Sequence, residues 1–122
     1  MADPKRLRRD LLRFALSLPG AYEDHPWDED VAKVGKKVFA FFGQPDGDYG
    51  PGMTIKLVES HEAALAIAGA EPSGYGLGRS GWVSFRFGDR TPPLPVLKDW
   101  VEESYRLVAP KSLVAELDRD AS

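Results

Sequence analysis

The chain has 122 residues, enough for one compact domain and too few for two, so a single domain over residues 1–122 is expected. Its 43% hydrophobic and 29% charged content fit a soluble globular protein, and the lack of cysteine excludes disulfides, thiolate metal sites and cysteine nucleophiles. A net charge of −3 argues against a grip on nucleic acid by overall charge and leaves room for a local basic patch.

The opening MADPKRLRRDLLRF is charged and has no long apolar run, so neither a signal peptide nor a membrane span is expected. The spacing of Leu7, Leu11, Phe14, Ala15 and Leu18 predicts a helix from Pro4 to Leu18. Asp3 stands as its N-cap, Pro4 fits its first position, and LPG ends it. Lys5, Arg6, Arg8, Arg9 and Arg13 form its opposite, basic face. AYEDH (Ala21–His25) and DVAKV (Asp30–Val34) read as strands around the acidic loop PWDE, and Gly35–Lys36 reads as a turn. KVFAFFG (Lys37–Gly43) is an apolar strand, and GQPDGDYGPG (Gly43–Gly52) a loop. MTIKL (Met53–Leu57) alternates, with Met53, Ile55 and Leu57 inward.

SHEAALAIAG (Ser60–Gly69) reads as a short helix capped by Ser60. After a glycine-rich stretch, WVSFRF (Trp82–Phe87) alternates again. VLKDWVEESYRLV (Val96–Val108) is a second amphipathic helix, with Leu97, Trp100, Val101, Ser104, Leu107 and Val108 inward. Lys98/Glu102 and Glu102/Arg106 are outward pairs on it, and PKSLVAELD (Pro110–Asp118) can add a last helix. Consecutive strands with few helices predict an α+β fold. Its two layers are an antiparallel sheet of about five strands and helices mainly on one face, in the order α-β-β-β-β-α-β-α with a short final helix.

GYGLGRSGW (Gly74–Trp82) contains the spacing G-x-G-x-x-G at Gly76, Gly78 and Gly81. A dinucleotide turn needs a strand before it and a helix after it, and here the order is reversed. GRSG also lacks the spacing of a nucleophile elbow. Glu23, Asp24, His25, Asp28, Glu29 and Asp30 crowd together, but alternation points Asp24 and His25 apart, so an exposed acidic hairpin tip is preferred to a metal site. Basic residues are better organised. Lys33, Lys36 and Lys37 share one hairpin, and Phe39, Phe41, Lys56, Trp82 and Arg86 could share a sheet face. Lysines neutralise phosphates and aromatic rings stack on exposed bases. The plainer alternative is a solvated surface with aromatics in the core or a dimer contact.

PGAYEDHPWDEDVAKVGKKVFAFF (Pro19–Phe42), MTIKL, YGLGRSGWVSF (Tyr75–Phe85) and VEESYRLV (Val101–Val108) together resemble the MmcQ/YjbR family of small bacterial proteins. The resemblance runs from about Leu11 to Leu117 and lies in the order of the elements. It implies a two-layer α+β domain and a DNA-binding role in a winged mode, and no enzymatic activity follows from it. Lys37, Lys56 and Trp82 match the family's lysines and tryptophan. Relatives carry a polar Tyr-His-Met-Asn-Lys-x-x-Trp run, whereas here glycines stand at 76 and 78 and Arg79 takes the lysine's place. Arginine keeps the charge and improves bidentate contact.

These readings predict a cytoplasmic, non-enzymatic binding domain without cofactor or metal. Its candidate ligand is DNA, held through Lys33, Lys36, Lys37, Lys56, Arg79 and Trp82 with weak sequence specificity. A protein partner or a second copy of the chain is the alternative use of the same surface, a metal or small molecule at the acidic hairpin is a weaker one, and no membrane contact is expected.

Overall fold

The computed structural model describes residues 3–44, 50–67, 70–72 and 80–120. Helix α1 spans Pro4–Leu16. Asp3 caps it by accepting a hydrogen bond from the Lys5 backbone N–H at 3.1 Å, and Pro4 occupies the first turn, where its missing N–H costs nothing. The helix stops before Leu18, where the Ser17 hydroxyl donates to the Phe14 carbonyl at 2.6 Å and competes with the helical ladder. The chain then turns at Gly20, whose φ is +71°. A Cβ there would lie 2.8 Å from Leu113 Cδ1, the far end of a side chain that can shift, so it is the positive φ that calls for glycine.

Six strands follow: β1 (Ala21–Asp24), β2 (Asp30–Val34), β3 (Lys37–Gly43), β4 (Gly52–Lys56), β5 (Glu71–Pro72) and β6 (Trp82–Arg86). They form one sheet in the order β1-β2-β3-β4-β6-β5, antiparallel throughout. The α+β class stands as read from the sequence. The strand added to that reading is β5, two residues at the sheet's edge, where Pro72 is tolerated because an edge strand need not donate on both sides. Helix α2 (His61–Ile67) lies between β4 and β5, and α3 (Leu94–Val108) and α4 (Lys111–Asp120) close the chain. Helix α3 begins ahead of Val96 because Pro95 is compatible with the first turn.

Register assigns the two faces of the sheet. Ala40, Ile55 and Val83 are successive partners across β3, β4 and β6, and all are fully buried. They face α1 and α3, which contribute Leu7, Leu11, Ala15, Leu97, Trp100, Val101 and Tyr105 to the same core. Each of the larger side chains among them removed from water contributes about 2 kcal/mol, and an alanine methyl less than half of that. Strand β3 carries two register shifts against β2, which leave Phe42 and Phe39 without opposite residues. Both bulged phenylalanines are buried, so the irregularities feed the core with side chains that strict alternation would divide between faces.

Two inward assignments change. On α3 the buried residue is Tyr105, edge-to-face with Phe39 at 5.3 Å, while Leu107 is 41% exposed. On α1, Arg8 leaves the basic face. It is buried, and its guanidinium donates to Asp30 Oδ2 at 2.7 Å and to the carbonyls of Phe42 at 3.0 Å and Gly43 at 2.9 Å. Those carbonyls lie at the end of β3, and a planar fork reaches all three acceptors together.

Candidate nucleic-acid interface

The opposite face of the sheet carries no helix among the described residues. Tyr22, Asp24, Lys33, Phe41, Thr54, Lys56, Trp82 and Ser84 belong to it by register. It is not bare: Val31 is fully buried within it, and Phe41 and Trp82 are half-buried. Phe41 and Trp82 pack edge-to-face at 5.5 Å, and the hydroxyls of Thr54 and Ser84 share a hydrogen bond at 2.7 Å beside them.

Lys33 and Lys56 therefore share one face with Trp82. Lys56 and Trp82 are direct cross-strand partners. Lys33 Nζ stands 3.3 Å from Asp24 Oδ2 and 5.9 Å from the centre of the Tyr22 ring. The Asp24 carboxyl is held below its ordinary value, first by the His25 backbone N–H at 2.8 Å and then by the Lys33 ammonium. Lys36 sits in the β2–β3 turn and Lys37 opens β3, both exposed. Lys37 pairs with Val34, a core residue, so its register belongs to the helix-bearing side. These two lysines share the end of the sheet with Lys33, Lys56 and Trp82 rather than their face. Arg79, and with it the family's loop lysine position, lies outside the described residues.

Phe39 is not on this face: the bulge carries it into the core. Arg86 lies there by register and is exposed. Tyr22, which the sequence reading did not select, is 43% exposed, and its hydroxyl donates to Gly35 O at 2.6 Å in the turn that carries Lys36. Its neighbourhood with Lys33 follows only from the β1–β2 register, which no local motif announces.

The strands between the two face lysines are joined in part from the helical side. β3 and β4 are joined by only two register pairs, Ala40 with Ile55 and Phe41 with Thr54. Beyond them the Ser104 hydroxyl of α3 accepts from the Lys56 N–H at 2.9 Å and donates to the Phe39 carbonyl at 2.5 Å. Next to it, Glu103 accepts from the N–H groups of Val58 at 2.7 Å and Ser60 at 3.3 Å and from the Ser60 hydroxyl at 2.8 Å. Ser60 is thus tied to α3.

The glycine fingerprint resolves at its last member. Gly81 has φ +96°, its carbonyl accepts from the Leu57 N–H at 3.0 Å, and a Cβ there would lie 2.7 Å from Leu57 O. Gly81 is needed for a tight approach of β6 to the end of β4. An open groove beside it runs past Lys56, His61 and Ser80, and Glu59 and Glu62 line it too, so it offers an anion a mixed surface.

At the other end of the sheet Glu23, His25 and Asp30 place ligand atoms within 4.8 Å of one another, and Asp24 points to the opposite face as alternation predicts. His25 Nδ1 lies 2.9 Å from Asp30 Oδ1, and Asp30 Oδ2 is engaged by Arg8. A cation there would meet the Arg8 guanidinium across a shared carboxylate, and that carboxylate fastens β2 to α1.

An antiparallel sheet with helices on one side and a lysine- and aromatic-bearing face on the other defines a small two-layer α+β domain with an open sheet surface. The chain belongs to the YjbR family, whose profile matches residues 16–107. It is similar to the crystal structure of Deinococcus radiodurans protein DR2400, a DUF419 domain, with TM-score 0.69 and 26% identity over 97% of this chain and 92% of that one. No curated protein sequence matches. No helix among the described residues is long and apolar enough to cross a membrane.

Proposed function

We propose that the chain is a non-enzymatic binding domain whose ligand is DNA, held chiefly through phosphates and with weak sequence specificity. The observation that carries this reading is the sharing of one helix-free face by Lys33, Lys56 and Trp82, with Lys36 and Lys37 at the same end of the sheet. Ammonium groups gathered there release counterions from a polyanion although the chain as a whole is acidic.

Fluorescence anisotropy with duplex DNA at two salt concentrations tests the reading. Four lysine–phosphate contacts give a slope of about −3.6 in log K against log salt, or roughly a 100-fold loss from about 50 to about 200 mM. Lys36→Glu with Lys37→Glu should abolish binding. Absence of binding at low salt, or binding without a salt slope, would remove the proposal. Sedimentation of the free protein checks the competing use of this surface: a dimer that dissociates when Lys56 or Trp82 is replaced would assign the face to a second copy.

A further inference from the structure

On the helix-free face Tyr22, Lys33 and Val38 are successive partners across β1, β2 and β3, and Lys56 and Trp82 are partners across β4 and β6. The two groups meet where Phe39 and Lys56 share the Ser104 hydroxyl. The β3–β4 register sets Phe39 rather than Val38 against Lys56, so the row crosses the sheet as aromatic, lysine, valine, lysine, aromatic with a one-residue step between valine and the second lysine. With strands about 4.8 Å apart, it spans roughly 19 Å from Tyr22 to Trp82 and roughly 10 Å from Lys33 to Lys56.

A duplex stacks its bases on one another and presents phosphates and groove edges. An unpaired strand presents base faces as well, and aromatic side chains set beside lysines suit it. We infer that this row binds an unpaired nucleic-acid strand, with Tyr22 and Trp82 as stacking positions and Lys33 and Lys56 on the phosphates between them. The inference rests on the nucleic-acid reading above and narrows its ligand. Phe41 braces Trp82 edge-to-face at 5.5 Å, so little side-chain freedom is left to lose on binding. Asp24 works against the ligand, because its carboxylate already occupies Lys33 at 3.3 Å.

The test compares an oligothymidylate with a duplex of matched length, by anisotropy at low salt. The single strand should bind about tenfold more tightly. Trp82→Ala and Tyr22→Ala should each weaken the single strand by about tenfold and leave the duplex affinity unchanged. Lys56→Glu should weaken both, and Asp24→Asn should strengthen both by releasing Lys33. Circular dichroism melts confirm folding, and Trp82→Phe, which keeps an aromatic face, should retain most of the single-strand affinity. Equal or tighter duplex binding with neutral aromatic variants overturns the inference and leaves the phosphate reading standing. Failure of both ligands at low salt removes both. Conversion of a dimer to a monomer by Trp82→Ala or Tyr22→Ala, with nucleic-acid binding unchanged, overturns it in favour of a second copy.

Discussion

Ser104 is a small polar residue on the buried face of a helix, and its partners explain why it is not alanine. It satisfies a donor on β4 and an acceptor on β3 that no strand pairs. Ser104→Ala leaves both without their partner and should cost about 2 kcal/mol in urea denaturation. Tyr105 beside it donates to the Pro19 carbonyl at 2.5 Å, and burial, with a smaller contribution from Glu116, pushes its phenol above the ordinary value. A raised folded-state value means that its stabilisation is complete below about pH 10 and is lost as pH rises through the folded value. Tyr105→Phe should therefore cost about 1 kcal/mol at neutral pH and flatten the alkaline fall in stability, read from melts across the alkaline range. Gly81→Ala meets both an unfavourable φ and the Leu57 carbonyl, and a loss of about 2 kcal/mol is expected from the same denaturation assay.

At the scale of elements, alternation and helical spacing made the strands at Met53–Leu57 and Trp82–Phe87 and the apolar faces of α1 and α3 legible. KVFAFFG was legible as a strand but not as a doubly bulged one, because a continuous apolar run does not say which residues lack partners. Lys56 and Trp82 were both singled out in the sequence, but a helix and a glycine-rich stretch separate them, and only register makes them direct partners. Arg8 was misplaced because a helical wheel gives a direction without saying what lies there, here a carboxylate and two carbonyls at the end of β3. Its side chain is 11% exposed and that of Asp30 14%, so Arg8→Ala strands a nearly buried carboxylate. A loss of about 3 kcal/mol is expected in urea unfolding. Arg8→Lys should recover only part of it, since an ammonium lacks the planar fork.

At the scale of the whole molecule, acidic and basic groups intermingle, as in the pairs Arg9–Asp10, Lys33–Asp24 and Arg106–Asp118, and they separate only toward the two ends of the β1–β2 hairpin. Glu23, Asp28 and Glu29 lie near the β1–β2 turn, while Lys36 and Lys37 lie at the far end of the same strands. A chain with net charge −3 then offers a polyanion a local attraction at the Lys36–Lys37 turn. Binding at that end should raise the melting temperature with ligand concentration, by the ordinary coupling of a ligand to the folded state. The rise should shrink as salt is added, and scanning calorimetry over a DNA titration measures both.

The β3–β4 ladder has two register pairs, and the seam between these strands is finished by a hydroxyl from α3. Lys33 stands on the β1, β2 and β3 side of that seam, and Lys56 on the β4, β6 and β5 side. The hydroxyl of α3 that spans the seam is a clasp fitted from behind. A helix that a ligand on the outer surface does not touch thus closes part of the seam lying between two charges on that surface, so the back of the sheet has a hand in how its front is laid out.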